Sequence, residues 1–252
     1  QRFQSPIDGS VRGVARAAFE AAGPRYGALV ETAPGRAVIS MSPELFLDVR
    51  GRDGARMVRT RPIKGTRPDT VSPDVLKASD KDQAELAMIV DLMRNDLGRI
   101  CRLGSIRVSH DRAIETHRTV HHGVAEVEGI LRDEVEIAEM LAATFPPGSV
   151  TGAPKVRAMQ IIESLEPVRR GPYCGGIGWL DDSGLLMMNV AIRTIAARGI
   201  PGTDADQIHG NLDYLAGCGI VADSDPVAEY EESLAKMVVF QRTLDALSLA
   251  TP

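Results

Sequence analysis

Segments of alternating apolar and polar residues, joined by tight turn signals, constrain this chain more than any other feature. They occupy residues 27–42, 44–63 and 175–197, and their turns are marked by Pro-Gly, Arg-Asp-Gly and Asp-Asp-Ser-Gly. Two alternating segments joined by such a turn form an antiparallel hairpin. The sequence therefore predicts a mainly antiparallel sheet structure.

Three helices interrupt the predicted strands. Apolar residues at helical spacing predict one helix from about Lys81 to Ile100. A second is predicted to open at Pro154, and a third to follow the cap-like pair Asp225-Pro226 and continue through Leu244. Because strands and helices do not alternate regularly, the pattern indicates the α+β class.

Composition excludes several classes of partner. The 252 residues carry a net charge of −5 without a Lys/Arg block, so nothing favours nucleic acid or an anionic membrane surface. No apolar run approaches the roughly 18 residues of a membrane span. Three cysteines, far apart and without a C-x-x-C pair, argue against disulfides and favour a reducing cytoplasm.

Lys64 is a candidate nucleophile because it stands at the end of a predicted strand. In RPIKGTRPD (61–69) the strand runs into Lys64, which is followed by Gly65 and Thr66 and then by turn residues. A lysine held there can be partly desolvated, which lowers its pKa and exposes a nucleophilic amine. The alternative is a surface lysine in a turn, the commoner role of a single lysine.

Acidic side chains on two predicted helices are candidate metal ligands. Glu85 lies at the margin of the apolar stripe of the first helix, and Glu229 and Glu232 share one side of the last, with Lys236 one turn beyond. Carboxylates from two helices, completed by water and substrate oxygens, suit Mg²⁺. The alternative is two solvated helix faces, one of them with an ordinary Glu232–Lys236 pair.

Two glycine-containing loops are candidate anion sites. FPPGSVTGAPK (145–155) joins a helix start, where free N–H groups and the helix dipole attract anions, although helix capping by Ser149 or Thr151 is the simpler alternative. Gly-Cys-Gly-Ile-Val-Ala at 217–222 formally matches the dinucleotide fingerprint G-x-G-x-x-A, but the next helix begins too late to meet a pyrophosphate. These glycines indicate either close backbone approach to a ligand or a bulge.

Arginine and histidine inside predicted strands complete the candidates. Arg193 lies in an apolar strand, where it needs either a structural carboxylate or a substrate carboxylate as its partner. His117, His121 and His122 share another strand. Alternation places the first two on one face and His122 on the other, so they do not form a ready metal triad.

Taken in order, these motifs resemble the chorismate-binding family of anthranilate, aminodeoxychorismate, isochorismate and salicylate synthases. The matching segments, from about Ser42 to Lys236, are SPELF, RPIKGTRPD, AELAMIVDLMRNDLGRIC, FPPGSVTGAPKVRAMQIIESLEP, RRGPYCGGIGWL, NVAIRT and AGCGIVADSDPVAEYEESLAK. The resemblance implies an α+β fold of two large antiparallel sheets packed together, with helices outside and the active site in a cleft. It also implies one catalytic domain over residues 1–252.

The resemblance implies a particular reaction as well. Before the Gly-Thr of this motif, aminodeoxychorismate synthases carry lysine, as this chain does, whereas anthranilate synthases usually carry alanine. Lys64 would attack C2 of chorismate and drive loss of the C4 hydroxyl. Ammonia would then add at C4 and expel the lysine, giving 4-amino-4-deoxychorismate. A glutamine amidotransferase subunit, which the family usually employs, is the expected source of ammonia.

The same resemblance implies the site residues. Glu44 of the SPE motif resembles the family's general acid/base, and His122 its active-site histidine, which would meet the departing C4 oxygen. Glu85 and Glu232 resemble the ligands of a Mg²⁺ that binds the ring carboxylate. The expected substrate-binding residues are Arg193, Lys236, Gly217, Cys218, Gly219 and Thr151.

Three geometric expectations follow from this assignment. Glu85 and Glu232 should meet at one cleft and share a single Mg²⁺. Arg193 should be largely buried and point into the same cleft, instead of pairing with a structural carboxylate. The Lys64 amine should also point there, within reach of the C2 edge of the ring.

Two departures from the family pattern keep alternatives open. The stretch after the active-site histidine usually reads H-L-V-S-T-V-x-G, whereas here it is HGVAEVEG, with Ala125 where serine is common. The abrupt start, QRFQSPIDGS, predicts that an N-terminal part is truncated. One alternative is therefore a non-catalytic chorismate-binding subunit, which the retained acidic residues and lysine oppose. The other is an anthranilate, isochorismate or salicylate synthase, which Lys64 opposes.

Overall fold

The computed structural model describes residues 1–116, 120–204 and 206–249, and the chain divides into two compact units. Unit 1 comprises Gln1–Pro43, Val168–Ile177 and Ala191–Pro252, and unit 2 comprises Glu44–Pro167 and Gly178–Val190. His117, assigned above to a predicted strand, lies outside the described residues.

The strands and helices follow one another without a regular βα alternation. The strands are β1 (Arg2–Ser10), β2 (Tyr26–Ala33), β3 (Arg36–Ser42), β4 (Leu45–Arg52), β5 (Ala55–Arg61), β6 (Ile63–Pro68), β7 (Arg107–Thr116), β8 (Val120–Ile130), β9 (Gly176–Leu180), β10 (Leu186–Val190), β11 (Thr194–Pro201) and β12 (Gln207–Leu215). The helices are α1 (Val11–Ala22), α2 (Pro73–Lys77), α3 (Asp80–Gly98), α4 (Ile137–Thr144), α5 (Lys155–Leu165) and α6 (Pro226–Leu249).

Unit 1 is built on a five-stranded antiparallel sheet in the order β1-β12-β11-β3-β2. Apolar side chains of α1 and α6 join those of the strands in one buried cluster, where Tyr214 of β12 stacks on Phe240 of α6 with 5.1 Å between ring centroids. Burying a large apolar side chain contributes roughly 1.5–3 kcal/mol. The cluster therefore fixes α6, which carries several candidate residues, to the sheet.

Unit 2 is built on a second sheet in the order β6-β8-β5-β4-β10-β9, with β7 also pairing with β8. β5 and β6 follow each other along β8 in one register, since Thr60 pairs with Val127 and Ile63 with Val124. α3 packs against β6, β7 and β8 through a buried stripe that includes Leu86, Ile89 and Met93. Its first turn is capped by the Ser79 hydroxyl.

The predicted α+β class with antiparallel sheets is confirmed. The three predicted helices are present as α3, α5 and α6, and the Asp225 carboxylate caps α6 by accepting a hydrogen bond from the Ala228 N–H at 2.9 Å. α1, α2 and α4, as well as β1 and β12, were not predicted. Among the helices of the described residues, none is both long and apolar enough to cross a membrane.

Two local predictions were wrong. The strand before Lys64 was expected to give way to a turn, but the extended backbone continues through β6 to Pro68 because β8 provides ladder partners as far as Val120. Arg193 was expected inside a strand, but it lies in a bend between β10 and β11 with a φ of 50°.

Candidate active site

The candidate residues fall into two groups, one in each unit. In unit 2, Lys64 lies in β6 opposite Gly123 of β8, directly before a β-bulge at Gly65. A Cβ at Gly123 would come within 2.6 Å of the Lys64 carbonyl oxygen. Gly65 has a φ of 79°, and a Cβ there would come within 2.6 Å of Leu76 Cδ1. Both positions therefore require glycine, and together they fix the backbone of Lys64.

The Lys64 side chain is half-buried, and its amine is oriented by a main-chain acceptor. Nζ donates to the Ser149 carbonyl oxygen at 3.3 Å. Ser149 belongs to the loop between α4 and α5, the same glycine-containing loop that the sequence marks as a candidate anion site. Lys64, the candidate nucleophile, thus contacts the candidate anion-binding loop. The sequence did not predict this contact.

Glu44 and His122 are both buried, with 4% and 1% of their surface exposed. Glu44 directly precedes β4, and its carbonyl oxygen accepts from the Val190 N–H at 3.0 Å. His122 pairs with Thr66 across the β6–β8 ladder, and Nδ1 lies 2.9 Å from the Thr66 hydroxyl. This contact fixes the ring orientation.

Glu85 is half-buried on α3 beside Leu86 and Ile89, at the margin of the buried stripe, as its spacing predicted. Thr151 uses its hydroxyl within its own loop, donating to the Pro147 carbonyl oxygen at 3.0 Å. The helix-capping alternative for this loop was wrong, because α5 has no side-chain cap and begins at Lys155.

In unit 1, Arg193 is half-buried instead of largely buried, which corrects the expectation above. Its carbonyl oxygen accepts from the Met41 N–H at 2.9 Å, which ties the strained bend to β3. Burial raises the pKa of the Tyr214 phenol, and the positive charge of Arg193 opposes that rise.

Lys236 of α6 connects the helix to the glycine run. Nζ donates to the Gly217 carbonyl oxygen at 2.8 Å and pairs with Glu232 at 2.7 Å, the ion pair considered as the ordinary alternative above. A Cβ at Gly217 would lie 3.4 Å from the hydroxyl oxygen of Tyr173. Sequence reasoning did not assign Tyr173, although the PYCGG segment contained it.

An acidic pair on α6 fits an oxygen-liganded cation. Possible ligand atoms of Cys218, Glu229 and Glu232 lie within 4.8 Å of one another. Burial raises the pKa of the Cys218 thiol to about 11, so the sulfur is protonated at neutral pH and is a poor ligand for a hard cation. Glu229 and Glu232 are therefore the fitting donors, and their three-residue spacing was the signal for including Glu229.

The positions of the carboxylates leave one expectation untested. Glu85 belongs to unit 2 and Glu232 to unit 1. That these two residues share one Mg²⁺ stays a prediction.

The family model described as chorismate binding enzyme matches residues 1–242 of the chain. The chain belongs to the chorismate-binding enzyme family. The match includes all the assigned site residues and runs through both units.

Relatives within the chorismate-binding family carry more than one enzyme name. The chain is 43% identical over 227 residues to aminodeoxychorismate synthase component 1 of Bacillus subtilis, covering 87% of this chain and 45% of the relative. It is 44% identical over 218 residues to an anthranilate synthase component 1 of Haloarcula marismortui, covering 84% and 42%. The chain thus spans about half the length of the curated relatives it matches.

A solved structure supports the fold of this chain. Anthranilate synthase component I from Streptococcus pneumoniae superposes with a TM-score of 0.81 at 33% identity, covering 96% of this chain and 52% of that one. The predicted family fold is confirmed at this level. Overall sequence identity is nearly the same for relatives with the two enzyme names, so it does not distinguish between the two reactions.

Proposed function

We propose that the chain converts chorismate and ammonia to 4-amino-4-deoxychorismate, with Lys64 as a covalent nucleophile. The observation that carries this proposal is the placement of Lys64. Gly65 and Gly123 fix its backbone, and its amine donates to the Ser149 carbonyl. These constraints hold the amine in one defined geometry, which a nucleophile requires. Relatives named aminodeoxychorismate synthase at 43% and 45% identity support the same reaction.

In the proposed first step the neutral amine of Lys64 forms a bond to C2 of chorismate. The electrons of the ring diene shift toward C4, and the C4–O bond breaks. Glu44 supplies the proton with which the hydroxyl leaves as water, and His122 stabilises the departing oxygen. The lysine nitrogen gains positive charge in this step, so the Ser149 carbonyl acts as a favourable acceptor.

In the second step ammonia forms a bond to C4, the diene shifts back, and the C2–nitrogen bond breaks. Lys64 leaves as an amine, and the proton lost by ammonia returns to the acid/base pair. Chorismate and ammonia thus give aminodeoxychorismate and water, with the enolpyruvyl group retained. Ammonia would come from a glutamine amidotransferase partner.

The remaining residues bind and orient the substrate. Arg193, Lys236 and the backbone N–H groups near Gly217 to Gly219 supply partners for the substrate carboxylates. Glu85, Glu232 and Glu229 would hold Mg²⁺, which when bound neutralises the ring carboxylate and favours its binding. In this proposal residues 1–252 act as one catalytic domain.

Product analysis tests the proposal. The chain is incubated with chorismate, Mg²⁺ and ammonium salt, and the products are identified by mass. We expect aminodeoxychorismate and, with ammonium withheld, a Lys64 peptide carrying the dehydrated chorismate skeleton. Anthranilate, isochorismate or salicylate as the product would assign the chain to another reaction of the family. Chorismate binding without turnover would support the non-catalytic alternative.

A further inference from the structure

The loop that contacts Lys64 is closed at its base by a buried ion pair. The loop, residues 145–154, runs from the end of α4 to the start of α5. Lys155, the first residue of α5, donates from Nζ to the Asp96 carboxylate at 2.6 Å and to the Thr144 carbonyl oxygen at 2.8 Å. One ammonium group therefore joins both ends of the loop to α3.

The pair is shielded from water, which strengthens its charged hydrogen bond. The side chains of Lys155 and Asp96 are 16% and 8% exposed. In such surroundings a charged hydrogen bond is stronger than at the surface, and removing one partner leaves the other charge buried. The arrangement thus resists small displacements of the loop.

The middle of the loop has a separate anchor on the same helix. A Cβ at Gly148 would come within 2.5 Å of both Leu92 Cδ2 and Met93 Cε of α3. Ser149 follows directly and presents its carbonyl oxygen to Lys64 Nζ. The close packing of Gly148 and the ion pair of Lys155 thus hold the loop on both sides of Ser149.

We propose that Lys155 and Asp96 are positioning residues, which hold the 145–154 loop so that the Ser149 carbonyl orients the Lys64 amine. This inference rests on the proposed function, in which Lys64 is the nucleophile. Loss of the pair misdirects the amine, while the substrate-binding groups outside the loop, among them Arg193 and Lys236, remain in place. A displacement of about 1 Å at a reacting group can lower a rate about 10²-fold.

Steady-state kinetics of Lys155→Met and Asp96→Asn test the proposal. We expect kcat to fall about 10- to 100-fold in each variant, with KM for chorismate changed less than about threefold. The double variant should be no worse than the poorer single variant, because one interaction is removed. Lys155→Arg, which keeps the charge, should restore part of kcat. Unchanged kcat in folded Asp96→Asn, a nearly isosteric change, overturns the proposal.

The matched control is an ion pair on the exposed side of the same helix. Arg94 and Asp91 pair at 2.9 Å, with side chains 55% and 74% exposed. Arg94→Met should leave kcat unchanged, and a loss equal to that of Lys155→Met would show that any disturbance of α3 suffices. Thermal unfolding of each variant establishes that the kinetics are measured on folded protein.

A second readout separates this proposal from the proposed function. With trace acetic anhydride, the acetylation rate of Lys64 is measured relative to the exposed Lys77 in the same sample by peptide mass spectrometry. In Asp96→Asn we expect this ratio to change at least about threefold, because the amine loses its fixed acceptor geometry. The ratio is independent of which product forms. An unchanged ratio overturns the positioning role, whereas a different wild-type product overturns only the reaction.

Discussion

The two groups of candidate residues are held in place in different ways. In unit 2, Lys64 and His122 lie in neighbouring strands, and their positions are set by the β6–β8 ladder and by glycines that accept no side chain. In unit 1, Lys236 is held by polar contacts with Gly217 and Glu232. Under the proposed function, an incoming substrate carboxylate replaces these contacts. Groups that form bonds gain from rigid placement, and groups that bind an anion gain from exchangeable partners.

The largest expected effect is that of Lys64→Ala. Under the proposed mechanism kcat for aminodeoxychorismate formation should fall by about three orders of magnitude or more, while chorismate binding stays nearly intact. Without the lysine, ammonia can attack C2 directly and give an anthranilate-type product. Turnover, product mass and chorismate affinity are the measurements. Lys77→Ala, at an exposed lysine, is the control, and unchanged aminodeoxychorismate production in Lys64→Ala would refute the covalent step.

The comparison also shows which parts of the molecule were predictable. Hairpin signals and helical periodicity gave the antiparallel sheets and α3, α5 and α6, because local patterns determine those elements. β1 and β12 pair across about 200 residues, and no local turn signal announces such a pairing. α1 was also missed, although Ser10 caps it by accepting from the Gly13 N–H.

The site was predictable as a set of residue types but not as a set of contacts. The motif around Lys64 pointed to a lysine with a special role, but it gave no hint of the bulge, which depends on the partner strand. The contact with Ser149 joins residues 85 positions apart and depends on how the loop after α4 packs. Arg193 was placed in a strand because its neighbours are apolar, yet its φ of 50° breaks the strand there.

Two glycine substitutions test whether the backbone is held more tightly at the site in unit 2 than at the site in unit 1. Gly65→Ala should lower the free energy of unfolding by about 2–4 kcal/mol, because the φ of 79° is strained for alanine and its Cβ would overlap Leu76 and Asp82. Gly217→Ala should cost less than about 1 kcal/mol, since its Cβ would meet only Tyr173 at 3.4 Å. Under the proposed function Gly217→Ala should instead raise KM for chorismate. Urea unfolding measures the stability of both variants, and steady-state kinetics measures KM. Equal losses of unfolding free energy in Gly65→Ala and Gly217→Ala would contradict the predicted difference.

Two buried aspartates should give opposite pH dependence. For Asp213, burial raises the pKa, but hydrogen bonds from Arg198, Arg2 and Gln4 outweigh it and hold the pKa below 3.8. Its contribution to stability is therefore present above pH 3.8 and lost as pH falls through the lowered pKa. For Asp96, burial raises the pKa despite Lys155, so its contribution falls as pH rises through that pKa.

The corresponding variants can be compared by urea unfolding between pH 4 and pH 7. Asp213→Asn should cost about 1–3 kcal/mol at pH 7 and nearly the same at pH 4, because the lowered pKa keeps the wild-type carboxylate charged over this range; the cost should shrink only below pH 3.8. Asp96→Asn should cost more at pH 4 than at pH 7. Asp53→Asn, at a side chain 93% exposed, serves as the control and should be neutral throughout. If the cost in unfolding free energy changed with pH in the same way for both buried aspartates, the predicted difference between them would be wrong.

The smallest expected effect concerns Cys218, which lies between the glycines of the run in unit 1. Burial raises the pKa of its thiol to about 11, so alkylation by iodoacetamide should be slow at pH 7 and quicken about tenfold per unit toward that value. The sulfur donates to the Glu229 carbonyl oxygen at 3.2 Å and accepts from Lys236 Nζ at 3.7 Å, and the proposed substrate contacts at this position come from backbone N–H groups. Cys218→Ala should therefore change kcat/KM less than about threefold and stability by less than about 1 kcal/mol. Rapid alkylation at neutral pH would show that the thiol is ionised there, and a large loss of kcat/KM in Cys218→Ala would show that the side chain contributes to turnover.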